Sequence, residues 1–278
     1  MPNWCYNRLC ITGKEEELER LLSLVGENLD FERVIPYPRR FRVMDEKYGE
    51  MQRRLALFSF LKKGDPDNPR LAERVRKIQE WLRNHRDGYN SGGYEWCVEN
   101  WGTKWPAEEV DLEKEGNQLV FTFSTAWNPP VPVVVALARR FRGLEFRMYY
   151  EEPGNDFVGE ITLKGGKVVE SWEESYADHI LKEELGEDLY SRLSKKQKEK
   201  LSSEIGAVVL LKSGNLKVVY SPVELYRTIV SNWGRIEKIR VTGESGIPKV
   251  TDLEEMVYLW KASESPTDFR ARALAHLL

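Results

Sequence analysis

The sequence predicts an α+β protein. Its first part is an antiparallel sheet of split βαβ order with a basic helical insertion and an added hairpin, and a smaller C-terminal α/β or α+β domain follows. Three observations predict this. Hydrophobic periodicities of strand and helix type alternate along residues 1–172 in the order strand, helix, strand, strand, helix, strand. A helical, strongly basic block interrupts that order over 39–88. From residue 173 to 278 the chain changes to charged helical stretches around a second strand hairpin.

Each element has its own signal. Tyr6 to Thr12 alternates as a strand and Gly13 closes it. Glu15 to Val25 spaces Leu18, Leu21, Leu22 and Val25 as a helix, with acids in the first turn where the helix dipole favours them. Phe31 to Pro38 reads as a short extended piece, because Pro36 and Pro38 disfavour helix. Helices follow over 43–63 and 69–84, divided by the breaker Gly64-Asp65-Pro66-Asp67-Asn68-Pro69. Tyr89 to Tyr94 is a loop, and Tyr94 to Val98 reads as a strand. Asn117 to Thr125 alternates as a strand, Pro130 to Phe141 is a helix with a proline-tolerant start, and Leu144 to Tyr150 is a strand. Phe157 to Leu163 and Val168 to Trp172 form a hairpin across Lys164-Gly165-Gly166-Lys167. The six elements make the ferredoxin-like order.

In the second domain, 174–204 is helix-prone and broken at Gly186. Ala207 to Leu211 and Leu216 to Tyr220 flank the hairpin signal Ser213-Gly214-Asn215. Ser221 caps a helix beginning at Pro222, with Glu224 in the capping-box position. A strand is expected over Ile236 to Val241 and helices over 252–260 and 267–277.

Composition narrows the function classes. The 278 residues are 41% hydrophobic and 11% aromatic, which supports a real core, and the net charge of −3 selects no partner. That total hides an asymmetry. Residues 39–86 carry fourteen basic and seven acidic side chains, a balance of +7, so the remainder carries −10. No run approaches the ~18 apolar residues of a membrane span. The start Met1-Pro2-Asn3-Trp4-Cys5 reads as no secretory signal, so a cytoplasmic protein without membrane association is expected. Cys5, Cys10 and Cys97 form no CxxC pair and, with His85, His179 and His276, give no zinc spacing, so no cofactor is expected. Nucleophilic triads and Gly-rich phosphate loops are not discernible.

Four of the nine tryptophans fall within about thirty residues, in two polar, turn-rich phrases. One runs from Trp96 through Asn100-Trp101-Gly102-Thr103-Lys104-Trp105, the other is Thr125-Ala126-Trp127-Asn128-Pro129-Pro130. Asn100, Trp101, Lys104, Trp105 and Trp127 are candidate binding residues: aromatics beside a cation can stack bases and contact phosphate. The competing reading is that these aromatics cover one end of the sheet. In the basic insert Lys62, Lys63, Arg70, Arg74 and Lys77 are candidates for a polyanion. Against this stands a solvated hairpin with internal ion pairs. Glu151, Glu152 and Asp156 offer hard oxygen ligands for magnesium, although neighbours on a strand face opposite ways.

The first half resembles the YubB-like ferredoxin-like domain family. The phrases that carry the resemblance are Pro2-Asn3-Trp4-Cys5, Val34-Ile35-Pro36, the Asn100–Trp105 run, Thr125-Ala126-Trp127 with Pro129-Pro130, and Tyr150-Glu151-Glu152 with Gly154, Phe157 and Gly159. They cover roughly residues 1–165 in order. The resemblance implies a ferredoxin-like fold and a setting in plasmids, phages or pathogenicity islands. It implies no reaction and no catalytic residue. The expected function is therefore non-catalytic binding or regulation, with nucleic acid as the ligand. The alternatives are a protein–protein interaction module and, after it, a metal-dependent nuclease or phosphotransferase.

Overall fold

The computed structural model describes residues 3–203, 206–242, 248–266, 268–269 and 272–273. The chain divides into two compact units, Met1–Glu173 and Glu174–Leu278.

The first unit is ferredoxin-like. Its strands are β1 (Trp4–Thr12), β2 (Glu108–Glu115), β3 (Gln118–Ala126), β4 (Glu145–Glu152), β5 (Phe157–Lys164) and β6 (Lys167–Glu174), in the spatial order β2-β3-β1-β4-β5-β6. β1 pairs antiparallel with both β3 and β4. β3 therefore sits between β1 and β2, which splits the βαβ unit. The β5–β6 hairpin extends the sheet beyond β4. Alternation decides the faces. Leu9 and Ile11 of β1, Phe121 and Phe123 of β3, and Phe146 and Met148 of β4 turn to one side. There they form one core with Leu18, Leu21 and Val25 of α1 (Glu15–Val25) and Val133, Val134 and Leu137 of α6 (Val131–Arg140).

Two expected strands are helical. Phe31–Val34 is a single turn, α2, because the Asp30 carboxylate caps it by accepting from the Glu32 N–H at 2.9 Å. The prolines act only beyond this turn, where Ile35 and Pro38 are extended, at φ −130° and −60°. Gly93–Trp101 is α5. Its buried residues, Gly93, Cys97 and Trp101, recur every four positions, which outweighs the alternation of Tyr94, Trp96 and Val98. The missing strand is β2, a polar edge strand whose acids Glu108, Glu109, Asp111, Glu113 and Glu115 mask the inward Val110 and Leu112. The insertion between α1 and β2 is thus α2, the hairpin of α3 (Arg39–Gly64) and α4 (Pro69–Asn84), and α5. Asn68 caps α4, accepting from the Arg70 and Leu71 N–H groups.

In the second unit β7 (Gly206–Leu211) lies between β8 (Leu216–Val219) and β9 (Ile236–Thr242), antiparallel to both. β7 is buried throughout because both of its faces are covered. Ala207 and Val209 pack with α10 (Pro222–Ser231) and α11 (Pro248–Ala262). Val208 and Leu210 pack with α7 (Tyr176–Leu185), α8 (Glu187–Ser191) and α9 (Lys195–Leu201). Ser221 caps α10 as expected, accepting from the Glu224 N–H. The helix expected over 267–277 lies mostly outside the described residues. Among the described residues no helix is long and apolar enough to cross a membrane.

Candidate functional site

The two tryptophan phrases fold into one structure at the end of the sheet where β1 begins. Gly102 follows α5 with φ +83°, and a Cβ there would come within 2.8 Å of Pro132 Cδ and 2.9 Å of the Pro129 carbonyl. Only glycine lets the first phrase lie so close to the second. Thr103, buried, donates its hydroxyl to the Ala126 carbonyl at 2.9 Å. Below it, the buried Asn7 amide donates to the Thr125 hydroxyl at 2.9 Å, and that hydroxyl donates to the Asn128 carbonyl at 2.8 Å. Trp127 adopts φ +72°, a left-handed conformation that costs a bulky residue about 1–2 kcal/mol. Its N–H is held by the Asn3 carbonyl at 3.0 Å.

These constraints sort the candidates. Trp101 is 2% exposed, so it belongs to the core and forms no open stacking platform on the surface. Its indole donates to the Ile35 carbonyl at 2.9 Å, and its ring meets Phe31, Tyr37 and Trp96. Asn100, partly buried, folds back on its own helix, donating its amide to the Trp96 carbonyl at 2.9 Å. Lys104 lies between the other two tryptophans, its Nζ 2.7 Å from the centre of the Trp127 ring and 5.3 Å from that of Trp105. Partial desolvation lowers the Lys104 pKa. Trp4 contributes an edge-on contact to Trp105 at 6.2 Å.

Trp101, Lys104 and Trp105 meet at a cavity of about 170 Å³. Tyr37 and Tyr89 supply further aromatic wall, and Glu32 and Asp45 supply carboxylates. Asp45 accepts from the Tyr37 hydroxyl at 3.2 Å and from the Tyr89 N–H at 2.8 Å. Burial, with Asp45 adding to it, raises the Tyr37 phenol, and burial raises Tyr89 to about 12. Cys97, also at the cavity, is pushed up to about 11 by burial, so its thiol stays protonated near neutral pH. The indole nitrogen of Trp105 is buried and meets no acceptor among the described residues. Sequence reasoning missed Tyr37, Asp45 and Tyr89. No local signal in the sequence marks them, since Asp45 is one of two adjacent acids, with Glu46, in the first turns of α3.

The other candidates lie elsewhere. Lys62 and Lys63 close α3 and Arg70 opens α4, so these three flank the hairpin's turn, while Arg74 and Lys77 lie about one and two turns further along α4. Lys77 is paired with Glu73 at 2.7 Å, and Arg74 lies 5.1 Å above the Phe58 ring. Lys62, Lys63, Arg70 and Arg74 have no carboxylate within ion-pair distance among the described residues. An open groove of about 460 Å³ runs past Arg70, Arg74 and Lys77.

Glu151, Glu152 and Asp156 do not converge on a metal. Glu152 is 2% exposed, and its carboxylate accepts from the Gly154 and Asn155 N–H groups. Glu151 is on the opposite face, accepting from the Tyr149 hydroxyl at 2.6 Å. Among the described residues no group of three or more His, Cys, Asp or Glu side chains could hold a metal ion.

The sheet order and a family match together define the class: the chain carries a ferredoxin-like domain. A family model described as the ferredoxin-like domain in Api92-like protein matches residues 100–192. Among solved structures, the crystal structure of a protein api92 from Yersinia pseudotuberculosis is similar at 15% identity and a TM-score of 0.39, over 63% of this chain and 99% of that one. No curated protein matches the chain.

Proposed function

We propose that this is a non-catalytic nucleic-acid-binding or regulatory protein of the cytoplasm, in a YubB-like, mobile-element-associated ferredoxin-like family, and that the α3–α4 hairpin makes the backbone contacts. The observation that carries the reading is the group of cations at and near the hairpin turn, Lys62, Lys63, Arg70 and Arg74, without carboxylate partners among the described residues. Unpaired cations are the groups that can release counterions from a polyanion.

The open face of the sheet does not compete for this role. It bears Asp111, Glu113 and Glu115 of β2 with Glu151 and Glu160, against Arg8, Arg147 and Lys164. Arg147 and Lys164 are already paired with Glu160 and Glu145. Such a face repels phosphate.

The test is fluorescence anisotropy with labelled single- and double-stranded DNA and RNA over a salt series. Binding is expected to weaken steeply with salt, each lost phosphate contact flattening the log–log slope by about 0.7–0.9. Lys62→Glu with Lys63→Glu and Arg70→Glu is expected to flatten it by about 2–3. A salt-insensitive affinity, or no binding at low salt, overturns the reading. A protein–protein role is the second reading, favoured by the exposed ridge of Leu57, Phe60 and Leu61 on α3. It predicts a stable partner and no response to these charge reversals.

A further inference from the structure

We infer that a second copy of this chain docks antiparallel along the outer face of α3, about a two-fold axis level with Gln52. The inference is independent of the nucleic-acid reading, because it needs none of the cations at the hairpin turn.

Five of the thirteen exposed large hydrophobics among the described residues belong to α3: Val43, Met44, Leu57, Phe60 and Leu61. The apolar excess of the surface is thus gathered on one helix rather than scattered. α4 packs against the side of α3 that carries Tyr48 and Phe58. Roughly a quarter-turn away round the helix lies a second stripe, Val43, Lys47, Glu50, Arg54, Leu57 and Leu61, exposed at every position. Its steps alternate between four and three residues, the spacing of a seam between two helices.

The order of residues in the stripe decides the occupant. In an antiparallel pair centred on position 52, Val43 lies level with the partner's Leu61, Lys47 with the partner's Leu57, and Glu50 with the partner's Arg54. Two-fold symmetry makes each of these contacts twice. Apolar ends meet apolar ends. Glu50 and Arg54 already pair within the chain at 2.7 Å, and across the axis each gains the opposite charge of the other copy, closing a ring of four alternating charges. Lys47 leans over the Trp81 ring, its Nζ 5.5 Å from the centre, so the stem rather than the ammonium covers the partner's Leu57. A parallel pair fails, because Lys47, Glu50 and Arg54 would each face an identical charge. The chain itself supplies the matching order, which is why a second copy is the occupant. From Val43 to Leu61 the stripe runs about 27 Å. Such a seam, charged at its centre, is at the low end of specific interfaces and makes a reversible dimer.

The test is sedimentation velocity of the full chain without nucleic acid, from about 1 to 100 μM, the range a small interface calls for. The average mass is expected to rise toward twice that of the monomer. Glu50→Arg alone and Arg54→Glu alone each set like charges against each other across the axis, and each is expected to weaken association by at least about tenfold. An equimolar mixture of the two variants places opposite charges together again and is expected to regain the wild-type mass. The chain carrying both changes is expected to do the same. Leu57→Ser with Leu61→Ser is expected to abolish the dimer. All four positions are exposed, so the melting temperature of each variant in dilute solution is expected to stay near that of the wild type.

A chain that stays monomeric across the range overturns the inference and leaves the stripe to another protein. A dimer that survives the charge reversals or the leucine changes assigns self-association to another surface and also overturns it. A mixture that stays monomeric when each variant alone is monomeric overturns the antiparallel pairing. Nucleic acid bound by a chain that never dimerises keeps the hairpin reading and removes this one. A dimer that binds no nucleic acid does the reverse.

Discussion

Gly102 is the residue on which the two tryptophan phrases meet. Its φ of +83° and the 2.8 Å and 2.9 Å approaches to Pro132 and Pro129 leave no room for a side chain. Gly102→Ala should cost about 1–2 kcal/mol for the left-handed conformation alone, and more for the collision with backbone. The expected result is a lower urea midpoint with an unchanged m-value, together with weaker quenching of tryptophan fluorescence by any bound base. An unchanged midpoint would mean that the Gly102–Pro129 approach does not hold the phrases together. At this scale the sequence was informative about place and less so about role. Polar, turn-rich surroundings marked Trp101, Trp105 and Trp127 as unusual, but they cannot distinguish an indole that seals a core from one that lines a cavity. Trp101 does both, its indole fixed because Ile35 offers its carbonyl from a part of the chain 66 residues away in sequence. Asp45 and Tyr89 were illegible for the same reason: what makes them matter is a separation of 44 residues closed by the fold.

Among elements, the basic hairpin was the most legible and β2 the least. The run from Gly64 to Pro69 announces the turn between α3 and α4. Less exposed positions recur three or four apart, at Tyr48, Met51, Leu55, Phe58 and Lys62 on α3 and at Leu71, Val75, Ile78 and Leu82 on α4. That spacing is a helix–helix seam. Tyr48 and Trp81 meet across it at 6.2 Å. β2 has no comparable signal, since an edge strand with one covered face needs only Val110 and Leu112 to turn inward and fills the other positions with acids. Outside the seam, α3 leaves Phe60 74% exposed, with Leu57 and Leu61 beside it. A side chain this exposed adds little to folding, so Phe60→Ser should change stability by less than about 0.5 kcal/mol. If the hairpin holds single strands, the same change should lower their affinity by about tenfold by removing a stacking surface, and spare duplex. A large loss of stability would instead place Phe60 in a packed interface. Equal effects on both nucleic acids would assign the hairpin to phosphate contact alone.

Over the whole molecule, the net charge is a poor guide to what the chain attracts. A sequence pI of about 5.9 and a formal charge of −3 describe a protein that should be excluded from polyanions at neutral pH. Yet residues 39–86 hold a +7 excess, and the −10 of the remainder includes the acidic β2 edge. At physiological ionic strength the screening length is about 8 Å, so a polyanion on the hairpin responds to the insertion's own +7 balance, which already counts Asp65 and Asp67 in its turn, more than to the total charge. The chain should therefore bind immobilised heparin at neutral pH and low salt despite its acidic pI. Lys62→Glu with Lys63→Glu and Arg70→Glu, a change of −6 in formal charge, should abolish that retention. Three reversals of acids on β2, Asp111→Lys, Glu113→Lys and Glu115→Lys, change the total by the same amount in the opposite sense and serve as the control. Local charge predicts that they leave the salt concentration of elution nearly unchanged. If they raise it as much as the hairpin reversals lower it, the protein responds to its total charge, and the hairpin holds no privileged position in recognition.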